Sequence, residues 1–375
     1  MARMRTTVRG RAWLVAAGAC AAMVTLAAPA ASAAPAASAA PAAPAWRVVK
    51  SVKTGQGVFT EVVATGKTSG WAFGGQFNTL SADTAWQRSG ATWTQDKAFP
   101  GKKNETVVTA GANSPTDVWA FASQINGVSR VLHYNGKAWS VAKAFGAQIG
   151  GASVAGPNDI WVFGADFFGS PALGAWHYNG HAWKLTGKGL QGGSALSASN
   201  AWAFSGTKVY HYNGSRWAGT NLKSLLPAKQ ELNSPSVTGI IALSASNVYA
   251  IGNGNLQDEG GPTVILHFNG AGWKKVASSA TYGYGTMSTG GSQQISTDGK
   301  GGLWLPFPGV DGQKSFMLHF AGGKLTPVTL PGNPQAISVV SISRVPGTGT
   351  QLASGSTFKA TEPGVNQVAT ILRYS

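Results

Sequence analysis

The chain has 375 residues, 43% of them hydrophobic and 11% charged, with a formal net charge of +16. A single cysteine excludes a disulfide scaffold, and a chain this long and this rich in Trp, Phe and Val has enough apolar surface to build a core without one. The basic residues are scattered, with Lys102-Lys103 and Lys274-Lys275 the only lysine pairs, so nothing resembles a basic nucleic-acid-binding run.

Residues 1–33 read as an export signal. Arg3, Arg5, Arg9 and Arg11 make a basic start, Trp13 to Ala28 is a short Ala-rich apolar run, and Ala31-Ser32-Ala33 has the small-x-small form of a cleavage site. No adjacent arginine pair points to twin-arginine export, which favours general secretion. Cys20 raises the alternative of a lipid anchor, but Ala17-Gly18-Ala19 before it lacks the expected leucine. Residues 34–45, APAASAAPAAPA, form an Ala/Pro linker with nothing to bury. The mature chain, 46–375, is therefore expected to be secreted, extracellular and free of cysteine. Four of the 29 Lys and Arg residues precede it and none of the 13 Asp and Glu, which leaves 25 basic against 13 acidic residues, a surplus of twelve. Such a surplus attracts anionic surfaces such as teichoic acids, acidic polysaccharides or lipid headgroups. The Ala- and Gly-rich composition has an actinomycete flavour.

From there a strand repeat runs to the end of the chain. Its best copy is Gly156 to Leu185: a polar turn at Pro157-Asn158-Asp159, an apolar strand from Ile160 to Gly164, a Gly-containing loop, a strand from Ala175 to Tyr178, an Asn179-Gly180 turn and a strand opened by Trp183. An Asn-Gly pair between aromatic-rich strands predicts a two-residue hairpin turn, because both residues tolerate positive φ. The Trp-x-Phe strand recurs at Trp71, Trp119, Trp161 and Trp202, with weaker copies at Tyr249 and Trp304. The His-Tyr-Asn-Gly segment recurs at His133, His177 and His211, as His267-Phe268-Asn269-Gly270, and in degraded form at His319. A Trp follows each intact copy, at Trp139, Trp183, Trp217 and Trp273.

All-strand repeats of about 40–50 residues predict propeller blades. Six units begin near residues 59, 106, 148, 192, 236 and 291, and a seventh runs from Ala336 to the end. The seventh stops where the others continue into a Trp-led strand, and Ala45-Trp46-Arg47-Val48-Val49-Lys50 is that missing piece. The expectation is an all-β, seven-bladed β-propeller closed by an N-terminal strand that completes the last blade, which also hides sheet edges.

The units DVWAFA…VLHYNGKAW and DIWVFGA…AWHYNGHAW resemble blades of secreted bacterial β-propellers, distantly similar to kelch and galactose-oxidase-type propellers. The resemblance covers nearly all of the mature chain and implies a fold with a binding face, not a reaction.

Five of the six histidines occupy one repeat position in five blades, so they are read as structural rather than as metal ligands, and no metal or cofactor is expected. Asp117, Asp159 and Asp298 are read as turn formers. A copper site with a cysteine–tyrosine cross-link is excluded because the mature chain lacks cysteine, and sialidase-type Asp boxes are absent. Glycoside hydrolysis needs two carboxylates on one pocket. The remaining candidates, Glu61, Asp83, Asp96, Glu105, Asp166, Glu231, Asp258, Glu259, Asp311 and Glu362, sit in no recognisable motif, so no catalytic residue is assigned. Binding is the favoured reading. The connections that differ most between copies carry Asp166, Phe167, Phe168, Asp258, Glu259, Tyr282 and Tyr284, aromatic and acidic residues in polar, Gly-rich sequence, as sugar stacking or partner contact requires. The expected partner is a glycan or cell-wall polymer, or an extracellular protein, bound by a monomer. The rival readings are a carbohydrate-active hydrolase or lyase and a protein-interaction scaffold.

Overall fold

The computed structural model describes residues 43–52, 57–76, 82–124, 127–164, 172–227, 235–253, 262–279, 294–307, 315–332, 337–357 and 367–375. These residues form seven antiparallel four-stranded sheets. Blades 1 to 6 are consecutive meanders over residues 57–96, 105–145, 151–187, 192–221, 236–279 and 296–329. Blade 7 takes three strands from residues 337–374 and its outer strand from Trp46–Val52, with Trp46 opposite Tyr374. Among the described residues, six of the seven neighbouring pairs of first strands pack side by side, all but that of blades 5 and 6 and including that of blade 7 against blade 1. The fold is a seven-bladed β-propeller, closed by strands from both ends of the chain as the repeats predict.

The repeated aromatics form the seams between blades. The Trp of a Trp-x-Phe strand meets the Tyr or Phe of the next blade's His-Tyr/Phe-Asn-Gly segment and, at three of the four seams, that blade's outer-strand Trp. Trp71 lies 4.9 Å from Tyr134 and 5.2 Å from Trp139 between ring centroids, and Trp161 lies 5.4 Å from Tyr212 and 5.9 Å from Trp217. Blades 4 and 5 repeat the contact with Trp202, Phe268 and Trp273. At the join, Tyr374 and Trp46 take the same two places against Trp304 of blade 6. The Trp-x-Phe segments are buried on both faces, so Trp71, Phe73, Trp161 and Phe163 are at most 1% exposed. Edge-on rings of this size supply both buried area and an orientation preference.

The Asn-Gly connections differ from the two-residue hairpin that the dipeptide predicts. Tyr178 pairs with Trp183, so four residues, 179–182, make the connection. Asn179 Oδ1 accepts the N–H groups of His181 and Ala182, at 3.0 and 2.9 Å, and only Gly180 has positive φ, at 90°. Asn135, Asn213 and Asn269 do the same. The reason is that an Asn side chain closing an Asx turn replaces the positive-φ backbone that a tighter turn would need. Gly180 also abuts the opposite turn: a Cβ there would lie 2.6 Å from Asn158 Cγ.

Candidate functional site

A four-stranded meander alternates direction, so connections from second to third strand and from fourth strand to the next blade share one end of the ring. At the other end most turns between first and second strands are short: 115–116, 157–158, 198–199 and 245–246. The long connections all lie at the first end: 165–173, 222–235, 254–262, 280–295, 308–315 and 358–367. The seven residues chosen from sequence, Asp166, Phe167, Phe168, Asp258, Glu259, Tyr282 and Tyr284, lie outside the described residues. The strands that flank their connections are described, and all of them end or begin at this variable end.

At the constant end the histidines are structural. His133 Nε2 lies 2.8 Å from Asp117 Oδ1, which also accepts the Trp119 indole N–H at 2.9 Å, and the two rings stack at 4.1 Å. Asp159, Trp161 and His177 repeat this at 2.9 and 2.7 Å. His211 and His267 bond Asn200 and Asn247 instead, and His319 bonds Asp298. Asp117 keeps a turn role, since its Oδ2 also accepts the Asn113 amide at 3.0 Å across the 115–116 turn, but the reading of Asp159 as a turn former is corrected: it opens the second strand and its carboxylate ties Trp161 and His177 together across the sheet. Asp298 combines the His319 bond on its Oδ2 with the turn role, since its Oδ1 accepts the N–H groups of Lys300 and Gly302. Among the described residues no group of three or more His, Cys, Asp and Glu is placed to hold a metal ion.

Three charged residues meet at the variable end between blades 1 and 2. Glu105 and Arg130 form a buried two-pronged pair: Nε lies 2.7 Å from Oε1, Nη2 bonds Oε2, and Nη2 also donates to the Pro100 carbonyl at 2.8 Å. Asp83 Oδ2 accepts the Val107 N–H at 2.7 Å. Burial pushes the Asp83 carboxyl up to about 7, the Val107 hydrogen bond opposes this, and the Glu105 charge adds to it. The group fastens the start of blade 2 to blade 1. Two carboxylates are thus close together, but Arg130 already holds one of them.

The axis of the ring holds a second polar group, invisible in the repeat pattern because first strands carry no motif. Registers align one residue per blade at the level of the Phe in Trp-x-Phe: Glu61, Thr109, Gly151, Gly192, Gly239 and Ser341. In blade 6, extending the Ser296–Trp304 register puts Gln294 there. Blades 3, 4 and 5 thus present glycine while blades 6, 7, 1 and 2 present polar side chains. Glu61 is 3% exposed, and burial holds its carboxyl well above the usual carboxylate range, although the Ser341 hydroxyl and the N–H groups of Ala110 and Val62 bond to it. Gln294 Nε2 donates to Glu61 Oε2 at 3.3 Å. Serines stitch the ring: Ser341, Ser343, Ser153 and Ser194 each accept a backbone N–H from the next blade. On the glycine side lies a cavity of about 180 Å³ bordered by Thr109, Gly151, Ser153, Gly193, Ser194 and Gln294.

No family model matches this chain, and no curated protein does. Solved structures with the same architecture do. The WD40 β-propeller domain of Doa1 is similar with a TM-score of 0.57 at 12% identity, over 87% of this chain and 96% of that one. YCF48 bound to D1 peptide gives 0.51 at 12%, over 88% and 96%. The GH74 xyloglucanase from Xanthomonas campestris gives 0.53 at 14%, over 87% of this chain and 55% of that one. Identities this low establish the propeller fold and nothing about activity.

Proposed function

We propose that this chain is a secreted, non-catalytic binding protein that recognises a glycan or cell-wall polymer through the variable end of the ring. The observation that carries the reading is the asymmetry between the two ends: most turns at one are short and repeated, whereas the other gathers every long connection. Connections that diverge on a repeating frame are where ligands are held. Those connections carry Phe167, Phe168, Tyr282 and Tyr284, whose rings offer stacking faces to sugars, together with Asp166, Asp258 and Glu259 as hydroxyl acceptors. Propellers of this shape include both a protein bound to a peptide, YCF48, and a xyloglucanase, so the choice of glycan rests on the residues of this chain. Export through residues 1–33 belongs to the same proposal and accounts for a mature chain without cysteine.

A hydrolase is the second reading, and Asp83 beside Glu105 is the observation that favours it. It ranks second because Arg130 engages Glu105 and leaves only Asp83 to exchange protons.

The test is a glycan array and a purified cell-wall pull-down with residues 46–375 at low and high salt. Retention at high salt that is lost in a Phe167→Ala/Tyr284→Ala variant supports recognition by the variable end. Retention that disappears with salt alone reduces the interaction to net charge. Release of sugar fragments that stops in Asp83→Asn turns the assignment to a hydrolase.

A further inference from the structure

The axial channel is not symmetric, although the ring around it is. At one level three successive blades have no side chain, and the four others carry Gln294, Ser341, Glu61 and Thr109. Beside this level, bordered by Gly150, Gly151 and Gly193, lies the cavity of about 180 Å³, below the roughly 300–1,000 Å³ of a drug-sized pocket. It fits a single small ring or the end of a chain.

Its lining chemistry narrows the class of ligand. Among the described residues neither Lys nor Arg lines it, which disfavours an anion despite the basic surface, and none of the lining residues is a carboxylate. The nearest acid, Glu61, is surrounded by donors: Gln294 Nε2, the Ser341 hydroxyl and the Ala110 and Val62 N–H groups. Those donors occupy its lone pairs, so it has little left for a cation. The Glu61 contact also fixes the Gln294 amide, with one N–H directed at Glu61, and among the described residues its other N–H and its carbonyl are left to the cavity that Gln294 borders. Thr109 adds a hydroxyl that can donate and accept, and Ser194 one that accepts the Ala242 N–H and keeps its own proton to donate, whereas Ser153 is engaged with the Ala195 backbone. Ile240 and Ile241 supply an apolar wall. Mixed donors and acceptors, one apolar side and no charge match a neutral polyhydroxylated ring.

We propose that the glycine-lined half of the axial channel is a binding pocket for one neutral sugar ring or an equivalent polyol, held by the Gln294 amide and the Thr109 hydroxyl. It rests on the glycan reading above and deepens it: the channel would take a terminal residue of the polymer whose body lies on the variable end.

The test is saturation-transfer NMR on residues 46–375 with the methyl glycosides of glucose, galactose and N-acetylglucosamine, and with glycerol. Transfer from the wild type to the ring protons of at least one glycoside is expected. Gln294→Leu and Thr109→Val, which keep side-chain bulk, should each weaken that ligand by roughly threefold to tenfold, the effect of losing one hydrogen bond. Their melting temperatures show whether each has folded. No transfer from any probe to the wild type overturns the proposal, as does transfer that both variants leave unchanged. The wall pull-down separates this from the broader reading. Polymer retained without glycoside binding sinks the channel pocket alone, while glycoside binding that Gln294→Leu weakens, without polymer retention, upholds the pocket and sinks surface recognition.

Discussion

Trp46, the first residue of the N-terminal strand, packs edge-on against Trp304 of blade 6, with ring centroids 5.7 Å apart and planes at 89°. Their contact is the closing seam of the ring. It joins the N-terminal strand to blade 6 through the same kind of indole pair that joins Trp71 to Trp139.

Trp46 is 3% exposed, so Trp46→Ala is expected to cost about 3–5 kcal/mol. Trp46→Phe should cost much less, because among the described residues the Trp46 indole N–H finds no acceptor. Trp183, at the same repeat position but only half-buried, should lose less on truncation to Ala. Guanidinium unfolding of the three variants checks the order. A Trp183→Ala cost equal to that of Trp46→Ala would contradict a special role for the closing seam. Deleting residues 46–52 leaves blade 7 an uncovered strand edge, and aggregation is the expected result.

Asp159 accepts from both the Trp161 indole and His177. Asp159→Ala strands two donors in a largely buried site and should destabilise by about 1–3 kcal/mol. Asp159→Asn keeps an acceptor for His177, as Asn200 does for His211, but beside Asn200 the Trp202 indole N–H has no partner among the described residues, so it should recover only part of that loss. Denaturant midpoints distinguish the two, and an equal loss would show that the charge matters rather than the acceptor.

Gly180 and Gly189 separate backbone strain from crowding. Both have positive φ, at 90° and 66°, but a Cβ on Gly180 meets Asn158 while one on Gly189 meets nothing within 4 Å. Gly189→Ala should cost about 1–2 kcal/mol, the left-handed penalty alone. Gly180→Ala should cost more, since the two turns must also part. Thermal melts would refute this if the costs were equal.

Asp83 gives the stability a pH dependence of unusual sign. Its folded pKa, about 7, lies above its ordinary 3.8, so the folded state binds the proton more tightly than the unfolded chain. The stabilisation is complete below the ordinary value and is lost as pH rises through about 7. Buried Glu61 acts in the same direction. The melting temperature should therefore rise on going from about pH 8 to about pH 5. Asp83→Asn, whose amide oxygen still accepts from Val107, should flatten the profile by removing its upper part. A profile that this variant leaves unchanged would assign the slope to other groups.

The repeat motifs were legible because each is a local solution to a local problem. Trp-x-Phe marks a strand buried on both faces, Asn-Gly a turn that needs one positive φ, and the Asp or Asn before the Trp a side-chain acceptor. Even there the sequence misled in detail. Asn-Gly looks the same in a two-residue hairpin and in a four-residue Asx turn, and Tyr178 pairing with Trp183 decides between them. Glu61, Asp83 and Glu105 stood among ten undistinguished carboxylates. Nothing adjacent to them in sequence marks them, because their partners are Gln294, Val107 and Arg130, brought close by ring closure and blade stacking.

The sequence by itself determined the number of blades and the origin of the closing strand, since hydrophobic periodicity and turn chemistry repeat unit by unit and the last unit lacks one strand. Only the tertiary structure decided what stands at the axis. The first strands lie beside one another through register and circumferential packing, not through any motif. A half-ring of glycine facing Glu61 and Gln294 exists only once seven separate strands have been set at one height.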